Sequence, residues 1–179
     1  MSENTEIQYS EMSYDQFLSD VEAIAQGVER DPWRPDYIVG IGRGGLVPGT
    51  FLSHRLGIPS LSIDHSSKVH AFSDALLTHL SICLKQGERY LFVDDINDSG
   101  KTLARFKAIL CGDAGEHANL RFCVMINNLH SLETVDYSAR TIDRRTDRRW
   151  FIFPWGAMAS AAAREMDARE DPDRLGLAT

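Results

Sequence analysis

The chain has 179 residues, of which 43% are hydrophobic and 25% charged, so it is long enough for one soluble domain with a substantial core. Its net charge of −7 argues against general nucleic-acid binding, which needs a basic surface. No apolar run is long enough to cross a membrane, and the polar, acidic first residues lack the apolar core of a signal peptide. We therefore expect a cytoplasmic protein without a membrane partner. The three cysteines have no metal-binding spacing and are predicted to be buried and unpaired: Cys83, Cys111 and Cys123.

The first predicted helix begins at Ser13, which can cap it together with Gln16. Four apolar residues then recur at helical spacing: Phe17, Val21, Ile24 and Val28. Asp31-Pro32 ends this helix. Residues 37–41 form a short apolar run that predicts a strand.

Three glycines surround Arg43 directly after this strand, in residues 42–45. Glycines let the backbone approach a ligand closely, although the same pattern also suits an ordinary turn with a solvent-facing arginine. Pro48 is expected in the first turn of the next helix, which reaches Gly57. Residues 58–63 predict a second strand. Strand, helix and strand in this order imply a parallel pair.

Residues 64–73 are polar and predict a mobile loop, while residues 76–84 fit either a strand or a short helix. A central strand begins near Tyr90. Further patterns predict strands over 120–126 and 149–153, and helices over 103–110 and 157–168. This alternation predicts an α/β fold, an open and mostly parallel twisted sheet flanked by helices. Ligands of such folds bind beyond the carboxyl ends of the strands.

The central strand opens the stretch YLFVDDINDSGKT, residues 90–102. Gly100-Lys101-Thr102 suggests a P-loop, but that motif needs a glycine at position 95, which is Asp95. Residues 98–102 instead suit a phosphate site made of backbone N–H groups and hydroxyls at a helix N-terminus. Asp94 and its neighbour can bind ribose hydroxyls or a hydrated Mg²⁺. An acidic turn that only caps a helix is the weaker interpretation, because paired acids after a buried strand need a partner.

This stretch resembles the 5-phosphoribosyl-1-pyrophosphate (PRPP) motif of type I phosphoribosyltransferases. Residues 40–49, GIGRGGLVPG, are similar to the pyrophosphate loop of that family. Residues 150–155, WFIFPW, resemble the base-binding segment of its xanthine, guanine and hypoxanthine branch. The resemblance implies the type I phosphoribosyltransferase fold, a mostly parallel sheet with a small base-binding hood. It further implies one domain over 1–179, with its core at about 35–126, its hood at about 127–157 together with part of the N-terminus, and a C-terminal helix and tail at 157–179.

The resemblance also implies roles for residues at the matching positions. Arg43 and Asp98 are the expected catalytic residues, and Asp98 would act as a general base or stabilise the sugar cation. Asp94 and Asp95 would hold Mg²⁺. The expected base-binding residues are Trp150, Phe151 and Asn128. The expected PRPP-binding residues are Arg43, Gly44, Gly45, Asp94, Asp95, Asp98, Ser99, Gly100, Lys101 and Thr102.

The implied function is Mg²⁺-dependent transfer of the 5-phosphoribosyl group from PRPP to a purine base, with release of pyrophosphate. The matching branch points to a 6-oxopurine such as hypoxanthine, guanine or xanthine, and thus to purine salvage. The family also implies a homo-oligomer, a dimer or a tetramer. Two alternatives stay open: a non-catalytic regulator that senses PRPP or a nucleotide, and a transferase for another base.

Several positions depart from the family pattern or stay without a fixed role. Asn97 replaces an aliphatic core residue, which predicts some loss of stability. Asn127 and Asn128 stand near the place of a lysine that reads the 6-oxo group, and Gly156 replaces an acid, so the acceptor base stays open. Loop residues expected to close over the site are Ser66, Ser67 and Lys68. An arginine-rich run suits a solvated surface, an anion-attracting patch or a subunit contact: Arg140, Arg144, Arg145, Arg148 and Arg149.

Overall fold

A computed structural model describes residues 7–64, 70–112 and 117–170, without the side chains of residues 70–73 and 170. The elements in chain order are β1 (Tyr9–Glu11), α1 (Tyr14–Arg30), β2 (Tyr37–Ile41), α2 (Gly42–Leu56), β3 (Ser60–Ile63), α3 (His70–Lys85), β4 (Tyr90–Asn97), α4 (Lys101–Cys111), β5 (Leu120–Asn128), β6 (Tyr137–Ile142), β7 (Trp150–Ile152) and α5 (Ala161–Glu170). A short 3₁₀ turn, Pro154–Gly156, lies between β7 and α5. Five strands form one sheet in the order β3-β2-β4-β5-β6, and all neighbours are parallel. The predicted α/β fold is confirmed.

The chain reverses its direction across the sheet between β2 and β4. It passes from β2 to the edge strand β3 and then crosses back to β4 on the other side of β2. The carboxyl ends of β2 and β4 therefore form the switch point at which open α/β sheets bind ligands. The last paired residues of these two strands are Gly40 and Val93. Asp94 and Asp95, which follow in β4, lie beyond this pairing.

Helices cover both faces of the sheet. Neighbouring residues of a strand point to opposite faces, so each central strand contributes apolar side chains to both. Ile38 and Leu91 belong to a core that includes α1 and Leu52 of α2. Val39 and Phe92 belong to a second core that includes α3 and α4. The sheet is thus the middle of three layers, and its central strands are buried on both sides.

The predicted start of α1 is confirmed, because the Gln16 N–H donates a hydrogen bond to Ser13 Oγ at 3.2 Å. The start of α2 differs from the prediction. Residues 42–45 are its first turn instead of a separate loop, and Pro48 lies further inside the helix. The physical reason is close packing of this turn against β4, which only glycines permit.

The region between β3 and β4 also differs from the prediction. α3 begins at His70 and contains residues 76–84, so these are helical, and residues 70–73, which were predicted as part of a loop, are helical as well. Residues 65–69, which include the loop candidates, lie outside the described residues. The alternation of apolar residues in this region reflects a helix that buries one face in the second core, including Leu77, Leu80 and Leu84.

Two strands are absent from the sequence predictions. β6 lies at the sheet edge beside β5, where its residues are at most half-buried and show no clear apolar pattern. β1 pairs in parallel with β7 in a small separate sheet that matches Tyr9 with Trp150. Residues near the N-terminus therefore support the strand that carries the third motif. Within the described part of the chain, no helix is both long and apolar enough for a membrane crossing.

Candidate active site

The first turn of α2 packs against the carboxyl end of β4. A Cβ on Gly45 would lie 1.9 Å from the Val93 carbonyl oxygen, and a Cβ on Gly40 would lie 2.8 Å from Leu46 Cα. Any larger residue would push these segments apart. Gly42, with a φ of 54°, turns the chain directly from strand to helix. The N-terminus of α2, whose first N–H groups have no acceptor within the helix, thus opens at the switch point.

Asp94 and Asp95 lie beside this helix N-terminus. The Asp94 carboxylate accepts a hydrogen bond from the Asp95 N–H at 3.0 Å, and a Cβ on Gly44 would lie 2.5 Å from Asp95 Oδ2. A cavity of about 640 Å³ opens here, lined by Ile41, Gly42, Arg43, Gly44, Asp64, Asp94, Asp95, Trp155, Gly156, Met158, Ala159 and Asp167. Its size suits a small ligand. Its adjacent carboxylates fit Mg²⁺, which proteins hold through one or two carboxylates and the phosphates of a substrate.

The turn that joins β4 to α4 has the geometry of an anion site. Gly100 adopts the left-handed conformation, with a φ of 84°, and has no side chain to cap the helix. The Lys101 N–H lies 3.4 Å from Ser99 Oγ, which is a long contact. No acid stands in the first turn of α4, which contains Thr102. Its N–H groups and the positive end of its dipole therefore suit a phosphate.

Asn97 is 1% exposed at the end of β4. Its amide donates to Asn127 Oδ1 at 2.8 Å and to the Glu133 carbonyl at 2.7 Å, and its oxygen accepts from Ser131 Oγ at 2.8 Å. A buried amide with these partners satisfies its hydrogen-bonding groups, which removes the reason for the predicted loss of stability. The network also fixes the segment that packs on the phosphate turn, where a Cβ on Gly100 would lie 2.7 Å from Ser131 Oγ.

Asp98 is buried in an ion pair with Arg144, with 3% and 10% of the two side chains exposed. Arg144 Nε lies 3.0 Å from Oδ1, and Nη2 lies 2.8 Å from Oδ2. Both carboxylate oxygens therefore accept charge-assisted hydrogen bonds. Sequence analysis did not single out this arginine, because 46 positions separate it from its partner. The one signal in the sequence was the arginine-rich run that contains it.

This arginine-rich run is largely neutralised by acids. Four of its arginines form ion pairs: Arg140 with Asp20, Arg144 with Asp98, Arg145 with Asp143 and Arg149 with Asp147. Hydrogen bonds from the guanidinium groups lower the pKa of Asp143 and of Asp147 below the usual value. The interpretation of the run as an anion-attracting patch is therefore not supported.

The third motif lies beside the buried ion pair. Trp150 and Phe151 belong to the lining of a cavity of about 80 Å³, which consists of Asp95, Ile96, Arg144, Trp150, Phe151 and Phe153. Asp95 lines this cavity and the larger one, so the two cavities adjoin at this residue. The guanidinium carbon of Arg144 lies 5.2 Å from the centre of the Phe151 ring, within cation–π range. The three sequence motifs thus meet around Asp95.

Asn128 is buried behind this site and lines neither cavity. Its Nδ2 donates to the Asp98 carbonyl at 3.0 Å, and its Oδ1 accepts from the N–H groups of His130 and Arg144, each at 3.3 Å. Its side chain therefore joins the phosphate turn to the segment that carries the arginine. Gly156, which replaces the family's acid, lines the larger cavity.

Comparisons with known proteins agree with this geometry. Residues 12–160 match the family model described as phosphoribosyl transferase domain. A purine phosphoribosyltransferase from Pyrococcus horikoshii is 22% identical, with a TM-score of 0.62 over 86% of this chain and 97% of that chain. The xanthine-guanine-hypoxanthine phosphoribosyltransferase of Helicobacter pylori is 20% identical, with a TM-score of 0.60 over 84% and 95%.

A third similar structure is a hypothetical protein from Neisseria gonorrhoeae with bound ppGpp. It is 19% identical, with a TM-score of 0.65 over 93% of this chain and 99% of that chain. At these identities the solved structures establish the fold. The family match covers most of the sequence and includes the three motifs. The chain therefore belongs to the phosphoribosyl transferase domain family and is a phosphoribosyltransferase.

Proposed function

We propose that this phosphoribosyltransferase transfers the 5-phosphoribosyl group from PRPP to a 6-oxopurine, releasing pyrophosphate and forming a nucleoside 5′-monophosphate. The observation that carries the proposal is the position of Asp95, which lines both cavities. A donor in the larger cavity and a base beside Trp150 would meet at this residue. Fixed placement of two reactants is a major source of enzymatic rate acceleration.

The larger cavity suits PRPP. Arg43 and the backbone N–H groups of Gly44 and Gly45 bind the pyrophosphate, whose oxygens match the fork of a guanidinium. Asp94 and Asp95 bind the ribose hydroxyls and hold Mg²⁺, which when bound supplies positive charge to the pyrophosphate. The remaining PRPP contacts come from the phosphate turn: Ser99, Gly100, Lys101 and Thr102.

The acceptor base stacks on Trp150, and the main chain of Phe151 reads its edge. The sugar develops positive charge in the transition state as the bond to pyrophosphate breaks. Asp98 lines neither cavity, and both of its oxygens accept hydrogen bonds from Arg144. We therefore assign Asp98 to holding Arg144 and the phosphate turn in position, instead of to proton removal.

Pyrophosphate release from PRPP and Mg²⁺ with a panel of bases tests this proposal. We expect release with hypoxanthine, guanine or xanthine, and little with adenine, uracil or orotate. No release with any base, although PRPP binds measurably, would exclude the proposed reaction. Release with adenine or a pyrimidine alone would keep the transferase and change its acceptor.

Two arginine variants sharpen the test. Arg43→Gln should lower turnover by roughly 10²- to 10³-fold, the usual effect of removing one group that stabilises transition-state charge. Arg145→Gln is the matched control, because this side chain is 70% exposed and pairs with Asp143 outside both cavities. Equal turnover in the two variants would show that Arg43 does not act in the site.

A second candidate function is nucleotide sensing on the same fold. The acceptor cavity of about 80 Å³ is smaller than the roughly 300–1,000 Å³ of ordinary ligand pockets, and the similar structure from Neisseria gonorrhoeae contains ppGpp. Calorimetric titration with ppGpp in the presence and absence of PRPP separates the candidates. Competitive binding of ppGpp without turnover of any base would favour the sensor.

We also propose that the enzyme is a cytoplasmic homo-oligomer, a dimer or a tetramer. Several apolar side chains of the described residues are more than half exposed, among them Leu129, Leu132 and Met166. Where such side chains group into one contiguous patch, they mark a contact surface for another protein chain. Light scattering of the purified chain measures its molar mass, and a monomer at micromolar concentration would contradict this part of the proposal.

A further inference from the structure

Arg144 carries the positive charge among the six residues that the structure describes around the small cavity. We propose that Arg144 selects the acceptor, because its guanidinium binds an exocyclic oxygen of the base and rejects bases with an amino group at that position. This inference rests on the proposed function, since it places a nucleobase in this cavity. It assigns acceptor recognition to a residue outside the three motifs.

The hydrogen bonds of Arg144 leave one donor for a ligand. A guanidinium has five N–H donors. Nε and one hydrogen of Nη2 bind the Asp98 carboxylate. Nη1 binds the carbonyl oxygens of Asp147 at 3.2 Å and of Arg149 at 2.7 Å. These contacts account for four donors and leave the second hydrogen of Nη2.

The surroundings of Arg144 hold its guanidinium in one place. The carboxylate of Asp98 and two main-chain oxygens accept hydrogen bonds from it, and the Phe151 ring lies 5.2 Å from its central carbon. Asn128 Oδ1 also accepts a hydrogen bond from the backbone N–H of Arg144. A side chain fixed in this way loses little conformational entropy when a ligand binds, which favours selective recognition.

Asn128 does not serve this purpose, although it stands near the place of the family's lysine. Its side-chain amide donates to the Asp98 carbonyl, and its side-chain oxygen accepts two backbone N–H groups. Neither cavity includes it in its lining. The positive charge of the acceptor site therefore comes from Arg144, which approaches from the segment between β6 and β7.

The chemistry of a guanidinium determines which base fits. An N–H donor with positive charge attracts the carbonyl oxygen of a 6-oxopurine, and arginine is the commonest partner of the O6 and N7 edge of guanine. An exocyclic amino group presents hydrogens to the same donor, so the guanidinium N–H and the amino group cannot pair with each other. The expected discrimination is roughly 5- to 150-fold, the range of one good contact of this kind.

Binding of IMP and AMP, measured by calorimetry without turnover, tests the inference. The wild-type enzyme should bind IMP more tightly than AMP. Arg144→Gln should lose roughly 5- to 150-fold more in IMP affinity than in AMP affinity, while Arg144→Lys should restore part of the preference. A purely structural role would weaken both nucleotides equally, and that result would overturn the inference. Arg145→Gln, in the same segment, is the control.

A second variant covers the case in which Arg144→Gln fails to fold because it leaves the Asp98 charge buried alone. The double variant Asp98→Asn with Arg144→Gln removes both charges. Circular dichroism checks its fold, and its relative affinity for IMP and AMP is again the readout. A folded double variant without preference for IMP supports the inference, and one that keeps the preference overturns it.

The two proposals fail in different ways. If the wild-type enzyme prefers IMP through Arg144 but no base releases pyrophosphate, acceptor recognition stands and the proposed reaction falls. If hypoxanthine reacts and Arg144→Gln still prefers hypoxanthine to adenine, the reaction stands and acceptor selection by Arg144 falls.

Discussion

Neighbouring glycines at the start of α2 face different groups, and this difference separates stability from binding. A Cβ on Gly45 would meet the Val93 main chain at 1.9 Å, whereas a Cβ on Gly44 would meet the end of the Asp95 side chain at 2.5 Å. Gly45→Ala should lower the free energy of unfolding by about 3 kcal/mol, because two backbone segments must separate. Gly44→Ala should leave stability nearly unchanged but displace the carboxylate and weaken PRPP binding. Urea denaturation and PRPP titration measure the two effects.

Gly49→Ala provides the control for both glycine variants. Its Cβ would meet Gly40 Cα at 3.4 Å, an ordinary contact, so neither stability nor PRPP binding should fall. Equal losses of stability in Gly44→Ala and Gly45→Ala would contradict the distinction between a flexible side chain and a rigid main chain.

The buried Asp98–Arg144 pair predicts a large effect of removing one charge. Asp98→Asn should cost about 3 kcal/mol of unfolding free energy, because the arginine stays buried without its counter-charge. Asp36→Asn is the matched control, since its pair with Arg89 is about 40% exposed and should cost less than about 1 kcal/mol. Urea denaturation at pH 7 measures both variants, and equal losses would show that burial does not govern this pair.

Sequence analysis grouped candidate site residues that are close together in the chain and missed partners that are distant. Asp94 and Asp95 stand in one motif, and their place beside Gly44 follows from the order of strand and helix. Arg144 could not be assigned, because its contact with Asp98 depends on how the segment after β6 folds back. Asn97 was misjudged for the same reason, since its partners lie 30 to 36 positions away.

At the scale of elements, Arg55 joins its own helix, α2, to α1. It binds Glu22 at 2.7 Å and Glu29 at 2.9 Å. Hydrogen bonds from Arg55 lower the pKa of Glu22 from the ordinary 4.5 to about 2. Because the folded state lowers this pKa, the pair stabilises the protein fully above pH 4.5 and loses its effect as the pH falls towards 2.

Glu22→Gln should therefore reduce stability above pH 4.5 and have little effect near pH 2. The free energy of unfolding of the variant and the wild-type protein, measured between pH 2 and 7 by urea denaturation, gives the difference. Arg55→Gln should remove the same pH dependence, because it takes away the partner. A stability difference between the two proteins that is constant over this pH range would contradict the role of the Glu22–Arg55 pair. Added salt should reduce the difference, because the pair is exposed.

Helices and strands with a clear apolar period were predictable, whereas glycine-rich and half-buried segments were not. The period of α1 and its Ser13 cap were sufficient to predict its start. Residues 42–45 appeared to be a loop because glycine disfavours helices, yet their contacts with β4 hold them in one. β6 was not predicted, because an edge strand need not alternate apolar and polar residues.

At the scale of the molecule, the order of elements was sufficient for the sheet class but not for every strand. Alternating strands and helices imply parallel pairing, and the motifs after β2 and β4 point to the switch point. The small β1–β7 sheet joins residues about 140 positions apart and has no local signal. The small cavity proposed for the acceptor includes Trp150 and Phe151 of this sheet, so local sequence signals constrain it less than the proposed donor site.

Binding of PRPP should stabilise the whole molecule in a Mg²⁺-dependent way. A ligand at 100 times its Kd that binds only the folded chain adds about 2.7 kcal/mol, which raises the Tm of a domain of this size by about 5–10 °C. We expect this rise with PRPP and Mg²⁺ together and little rise with PRPP and EDTA. Asp95→Asn should lose the Mg²⁺-dependent part, whereas Asp15→Asn, on the exposed side of α1, should keep it. An equal rise with EDTA, or in Asp95→Asn, would contradict a metal site at this carboxylate.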